Sequence, residues 1–257
     1  MKKELEAFDR LLEIMNELRE KCPWDRKQTL ESLRTLTIEE TYELADAIIK
    51  KDMKELKKEL GDLLLHIVFY AKIGSERNSF DITDVINSIN EKLIHRHPHV
   101  FGDIEVKDHR EVEENWEEIK MKEKDRDNSV LSGVPESLPA LVKANRIQQK
   151  VRGVGFDWDE RSQIWDKVKE ELNELQHEVE TEDHEKVEAE FGDLFFSLIN
   201  AARLYDIDPE TALERTNKKF IKRFNYLEEQ TIKKGQSLKE MSLDEMNIIW
   251  EAAKKFD

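Results

Sequence analysis

Cysteine occurs once in the chain, at Cys22, which excludes an intrachain disulfide and a cysteine-built zinc site. Glycine (8 residues) and proline (5) are scarce among 257, and segments rich in β-branched residues are few. That removes the turn and strand vocabulary of a β-sandwich or barrel. No apolar run approaches the roughly 20 residues that a membrane span requires. The opening Met1-Lys2-Lys3-Glu4-Leu5-Glu6 has no apolar signal core. A cytoplasmic protein without a membrane partner is expected. Excess positive charge is also missing: 58 acidic against 42 basic residues leave a formal charge of −16. Nucleic acid, which requires a basic surface to displace counterions from phosphates, is therefore not an expected partner. A small polyanion is compatible only if a cation or a local group of Lys and Arg overrides the global field.

What is present is charge at helical spacing: 39% of residues are Asp, Glu, Lys or Arg, and apolar residues recur with helical period almost throughout. The pattern predicts helices over 4–21, 30–50, 53–77, 83–97 and 109–125, then over 138–151, 161–182, 184–204, 209–233 and 243–256. Asp208-Pro209 combines a capping carboxylate with a proline suited to the first turn. Ser242 and Glu245 have capping-box spacing, and Gly235 follows a Lys-rich end as a left-handed stop would. The stretch Asp125 to Pro139, with Asn128, Ser129, Gly133 and two prolines, reads as a linker.

The chain repeats itself. Glu39-Glu40-Thr41-Tyr42-Glu43 returns as Glu170-Glu171-Leu172-Asn173-Glu174, and Glu59-Leu60-Gly61-Asp62-Leu63 as Glu190-Phe191-Gly192-Asp193-Leu194, both about 131 residues later. Asn90 to Arg96 matches Asn217 to Arg223, and Trp116 and Lys120 match Trp250 and Lys254. The offsets change only between expected helices, as differences in loop length produce. The predicted fold class is all-α, with two tandem helical-bundle domains related by internal duplication: 1–125, a linker at 126–137, and 138–257.

Residues three apart on a helix share a face, so Glu40 projects with Glu43 and Glu59 with Asp62. A two-residue connection at Lys51-Asp52 makes the two helices antiparallel neighbours and lets the pairs face each other. Leu44, Ala47, Ile48, Leu60, Leu63, Leu64 and Ile67 are expected to set these acids at the edge of a buried stripe. Gly61, unfavourable in mid-helix by about 1 kcal/mol, suggests close approach of a helix or ligand. Four carboxylates about 5 Å apart repel by roughly 3 kcal/mol per pair at an effective dielectric near 20, so they require a counter-ion. Oxygen ligands without Cys or His select Mg2+ or Mn2+ and point to a phosphate-bearing substrate. Any single Glu-x-x-Glu in so acidic a chain is ordinarily a solvated face; the return of four acids and a glycine in register is what separates these.

Glu-Glu-x-x-Glu followed after a helical hairpin by Glu-x-x-Asp resembles the signature of the all-α nucleoside triphosphate pyrophosphohydrolases. Cys22-Pro23-Trp24-Asp25, Arg96-His97-Pro98-His99-Val100-Phe101-Gly102 and Val154-Gly155-Phe156-Asp157-Trp158 are similar to tandem-domain MazG proteins in particular. The resemblance implies helical bundles paired in a homodimer, and hydrolysis of nucleoside triphosphates at the α–β linkage to monophosphate and pyrophosphate. Mg2+ would be held by Glu171, Glu174, Glu190 and Asp193, with Glu40, Glu43, Glu59 and Asp62 equivalent in the first copy. It further implies phosphate contacts from Lys219, Lys222 and Arg223, Trp250 and Lys254 beside the nucleotide, and help from Lys167 and Lys186. Read as residues alone, Lys219 and Arg223 share a face as a cationic clamp, and Trp250 with Lys254 sets an aromatic plane beside a charge. Lys92, Arg96, Trp116 and Lys120 are the first-copy counterparts. Glu170 is the expected group to orient or deprotonate the attacking water. In the first copy His95 replaces Lys222 and Glu55 replaces Lys186, so the second copy is expected to carry most turnover. Trp24 and Trp158 are expected to cap the two cores, His97 and His99 to have structural or surface roles in preference to forming a transition-metal site, and Cys22 to be inert.

Two rival functions remain open on sequence grounds. A carboxylate-bridged di-iron bundle needs Glu-x-x-His on two helices; Glu174 and His177 supply one, but Asp46 stands at the first-copy position. A non-catalytic nucleotide sensor would keep the ligands without turnover.

Overall fold

A computed structural model of the chain describes residues 2–108, 111–112, 115–116, 119, 129–181 and 183–256. Among them there is no strand, and the chain divides into two compact units, Met1–Lys107 and Asp108–Asp257.

Unit 1 contains α1 (Lys2–Lys21), α2 (Pro23–Lys27), α3 (Leu30–Lys50), α4 (Met53–Glu76), α5 (Ile82–Arg96) and α6 (Pro98–Phe101). Thr29 and Ser32 close a capping box at the start of α3, and Asp52 caps α4 by accepting from the amides of Lys54 and Glu55. Between them Lys51 adopts a left-handed conformation (φ 56°), which folds α3 and α4 into an antiparallel hairpin through two residues. Helix α1 packs on α4, and Met15, Leu33, Val68, Phe69 and Ile73 form the buried centre. Gly74 is obligatory there, because a Cβ would lie 2.8 Å from the Phe80 ring.

Unit 2 contains α7 (Ala140–Arg152), α8 (Ile164–Thr181), α9 (His184–Leu204), α10 (Pro209–Gln230) and α11 (Leu243–Ala253). Helices α8 and α9 form the second hairpin, α7 packs on α9 and α10, and α11 packs on α10. Ile164, Leu175, Ile199, Ala201, Leu227 and Ala253 are buried. Asp208 caps α10 with Pro209 in the first turn, and Ser242 and Glu245 form the capping box of α11. The buried Lys150 ammonium donates to the carbonyls of Val130 (3.0 Å) and Ser132 (3.2 Å), tying the turns before α7 to that helix.

Several expectations need correction. Helix α10 stops at Gln230, followed by a 3-10 turn at Ile232–Lys234 that ends on left-handed Gly235 (φ 85°). The short helices α2 and α6, each opening on a proline, escape a periodicity search because they span little more than one turn. Gly61 does not mark a close helix approach: a Cβ there, or at Gly192, would meet nothing within 4 Å. Leu60, Leu64 and Ile67 are exposed rather than part of a buried stripe, as are Phe191, Phe195 and Leu198 at the same positions of α9. Trp24 is 56% exposed and Trp158 is also exposed, so neither caps a core. The expected helix over 109–125 falls largely outside the described residues, as does Lys120.

Candidate active site: two carboxylate clusters

The hairpin of unit 1 brings together Glu40 and Glu43 from α3 with Glu59 from α4, one oxygen of each lying within 4.8 Å of the others. Unit 2 repeats this with Glu171 and Glu174 from α8 and Glu190 from α9, within the same distance. Six of the eight acids singled out from the sequence thus converge in two triplets. Asp62 and Asp193 stand beside them: the Asp62 charge acts on Glu40 and the Asp193 charge on Glu190. Asp62 is half-buried and Asp193 exposed.

Electrostatics show the strain of convergence. Burial, then the charges of Asp62, Glu43 and Glu59, push the Glu40 carboxyl above its ordinary range. Glu190 is raised in the same way, by desolvation and then by Glu174, Asp193, Glu171 and Glu178. In unit 1 the deeply placed acid is Glu59, 2% exposed; Lys58 Nζ donates to its Oε1 at 2.8 Å, while Oε2 is buried with no hydrogen-bond partner among the described residues. In unit 2 it is Glu171, 6% exposed, held by Lys167 Nζ at 2.7 Å. Lys167 also donates to Glu170 at 2.8 Å, and the two carboxylates raise its pKa. The chemistry of both clusters fits a divalent cation, since the donors are hard oxygens in mutual repulsion; in unit 1 the buried Glu59 Oε2 adds an acceptor that a cation would satisfy.

The expected cations and aromatics are distributed unevenly. Lys167 touches the second triplet. Lys186 instead approaches Glu178 (4.0 Å) and Asp183 (3.9 Å). Lys219 and Lys222 are exposed on α10. The Arg223 guanidinium lies over the Trp250 ring, 5.6 Å from its centroid, and Phe220 meets the same ring at 4.9 Å. Lys254 pairs with Glu251 at 2.5 Å. In unit 1 Lys92 is exposed and Arg96 buried; Trp116, part of unit 2 in the structure, is half-buried. An open cleft of about 440 Å3, lined by Asp157, Trp158, Gln163 and Asp166 among others, reaches Lys167 and Glu170 at the edge of the second triplet.

Sequence reasoning missed one group. His66, 7% exposed on α4, meets the Thr37 hydroxyl at Nδ1 (2.7 Å); that hydroxyl donates to the Leu33 carbonyl at 3.0 Å and also meets the Tyr70 hydroxyl at 2.7 Å. Burial holds the imidazole below its ordinary pKa against the opposing charge of Asp62. The register of His66, seven residues after Glu59 and four after Asp62, was the available signal.

An all-helical hairpin that presents three converging carboxylates, and does so twice, defines a tandem α-bundle protein of the carboxylate-cluster class. Within that class the match is specific: the MazG nucleotide pyrophosphohydrolase domain is found at residues 28–101 and again at 160–227. The chain belongs to the MazG family and is an enzyme of its hydrolase type. It is 46% identical to the nucleoside triphosphate pyrophosphohydrolase/pyrophosphatase MazG of Thermotoga maritima, over 97% of this chain and 96% of that one. It is 40% identical to the nucleoside triphosphate pyrophosphohydrolase of Escherichia coli, over 98% of each. An uncharacterized Bacillus subtilis protein, YabN, is 48% identical over 96% of this chain and 52% of its own length.

Proposed function

We propose that the protein hydrolyses nucleoside triphosphates at the α–β linkage, giving nucleoside monophosphate and pyrophosphate, with Mg2+ (or Mn2+) as the cofactor. The carrying observation is the convergence of three carboxylates on each hairpin, at the two segments matched by the family domain. The names of the full-length relatives support the substrate class.

In the second cluster Glu171, Glu174 and Glu190, with Asp193 beside them, would hold the cation, which supplies charge neutralisation for the triphosphate oxygens. Glu170, anchored by Lys167, orients the water and takes its proton as the oxygen bonds to the α-phosphorus and the bond to the bridging oxygen breaks. Lys219, Lys222 and Arg223 neutralise the pyrophosphate that leaves, and Trp250 with Lys254 borders the nucleoside. Lys186 contributes to the positive field, and Lys92, Arg96, Trp116 and Lys120 are the first-copy counterparts.

This reading also includes a homodimer in the cytoplasm. Leu60, Leu64 and Ile67 on α4, and Phe191, Phe195 and Leu198 on α9, form exposed apolar stripes that a second copy would cover. No helix among the described residues is long and apolar enough to cross a membrane.

The test is incubation with each nucleoside triphosphate and Mg2+, separating monophosphate plus pyrophosphate from diphosphate plus phosphate. The expected products are the first pair, with turnover abolished by chelator and restored by Mg2+. Diphosphate plus phosphate, or full turnover in metal-free buffer, overturns the assignment. Light scattering checks the dimer independently.

A further inference from the structure

Lys167 stands where the second cluster meets the cleft beside it. Its Nζ lies 2.7 Å from Oε1 of Glu171, a member of the triplet, and donates to Oε1 of Glu170 at 2.8 Å. Glu170 lines the cleft together with Lys167, whereas Glu171 is buried on the cluster side. One ammonium thus bridges an inner carboxylate and an outer one. At the matching position of unit 1 stands Leu36, packed against the apolar core, and Glu59 is shielded by Lys58, its neighbour on α4.

Lys167 is the one basic residue lining the cleft, against Asp157, Asp159, Asp166 and Glu170. A triphosphate approaching the cluster from this side needs that ammonium, yet it is engaged by two carboxylates of its own helix. A divalent cation held by the triplet would repel it, since two positive centres would then compete for Glu171. The ammonium has somewhere to go. Its side chain is 37% exposed, its contact to Glu170 lies on the cleft side, and a lysine stem is flexible.

We propose that Lys167 is a displaceable counter-ion of the second cluster: it neutralises Glu171 until a divalent cation takes that carboxylate, then keeps Glu170 and turns its ammonium into the cleft to meet the triphosphate. The inference rests on reading the second cluster as a cation site. It makes cation and triphosphate binding mutually reinforcing, because Lys167 is released by the one and needed by the other. By linkage the polyanion strengthens the cation in return. Unit 1, with Leu36 in this place, has no such coupling from its first hairpin helix.

The test follows Lys167 directly, by acetylating the full chain with a limiting amine reagent and reading each lysine by peptide mass spectrometry. A Glu43→Gln background leaves the second cluster as the reporter. Mn2+ should raise the modification of Lys167 several-fold and leave Lys169, on the same helix, unchanged. Adding an α,β-methylene nucleoside triphosphate should protect Lys167 again. In a Glu174→Gln background Mn2+ should not raise it. Calorimetry gives a second readout. Without nucleotide, Lys167→Met and Lys167→Gln should each bind Mn2+ at least about 5-fold more tightly than the Glu43→Gln parent, since nothing has to be displaced. A Lys167 equally modified with and without Mn2+, or an unchanged Mn2+ affinity in both variants, overturns the displacement and leaves the cation site standing. Release without protection by the analogue overturns the turn toward the triphosphate. If the Glu43→Gln chain binds no Mn2+, the reading of the second cluster falls with it.

Discussion

The two units carry the same three-carboxylate cluster on the same hairpin, yet each buries a different member of it. Unit 1 sinks Glu59, from the second hairpin helix, and neutralises it with Lys58 of that helix; unit 2 sinks Glu171, from the first, and neutralises it with Lys167 one turn before it. Neither lysine has a lysine at the matching position of the other unit, where Ala189 and Leu36 stand. Duplication has preserved the spacing of the carboxylates while the counter-charge has been rebuilt from a different place. On the proposed cation-site reading, ligand geometry would constrain where the carboxylates stand and not which neighbour shields them.

The largest expected effect separates the units by turnover. Glu171→Gln or Glu174→Gln preserves size and removes a charge proposed to attract Mg2+, so turnover should fall at least about 100-fold if each metal interaction contributes near 3 kcal/mol. Glu40→Gln or Glu43→Gln should cost much less, since His95 and Glu55 stand in that copy where Lys222 and Lys186 stand in the other. Product release by chromatography measures both. Equal losses would mean that the two clusters are coupled or equally active, and loss only from the first pair would reverse their ranking.

A smaller effect tests the shielding. Lys167→Met strands Glu171 without its cation. Because Lys167 is itself 37% exposed, solvent screening reduces the cost well below that of a fully buried pair, to about 1 kcal/mol. The melting temperature of the metal-free protein should drop by about 2–4 °C. Added Mg2+ should restore it by replacing the lost charge. Lys58→Met should cost less, since Lys58 is the more exposed of the two. An equal drop that Mg2+ does not repair would show that the lysines act through packing alone.

The smallest effect concerns acid. Arg19 donates to both oxygens of Glu76 (3.0 and 2.5 Å) and, with its charge, holds that carboxyl below the ordinary range in unit 1. In unit 2 desolvation raises Asp157, but hydrogen bonds from Arg203 and the Trp158 amide outweigh it and the net shift is downward. A carboxyl lowered in the folded state contributes stability above its unfolded pKa and loses it as the pH falls through the folded value. Glu76→Gln and Asp157→Asn should therefore destabilise at neutral pH, and their difference from the parent should shrink below the ordinary carboxylate range. Urea melts across pH 2–7 report it, and a difference that persists at the acid end would assign the loss to geometry instead of charge.

Much of this was legible in the residues because it is local. Helical period, the Asp208 and Ser242 caps, the left-handed stop at Gly235 and the two-residue joint at Lys51 all depend on neighbours within a turn or so. The register of Glu40 with Glu43, and of both with Glu59 across a tight turn, follows from the same arithmetic. Exposure did not follow: Leu60, Leu64, Ile67 and Trp24 are apolar residues at plausible core spacing, yet the surrounding helices leave them uncovered. Gly61 misled for a related reason, since a mid-helix glycine signals open space as readily as close contact.

By itself, then, the sequence determined an all-helical, duplicated chain with two sets of converging carboxylates, because those properties are written in spacings of three, four and about 131 residues. Tertiary structure alone decided which acid of each set is buried, which lysine shields it, and that Thr37, His66 and Tyr70 meet beneath only one of the two clusters. Those outcomes depend on which helix faces are pressed together, and partners 29 or 33 residues apart leave no periodic trace of having met.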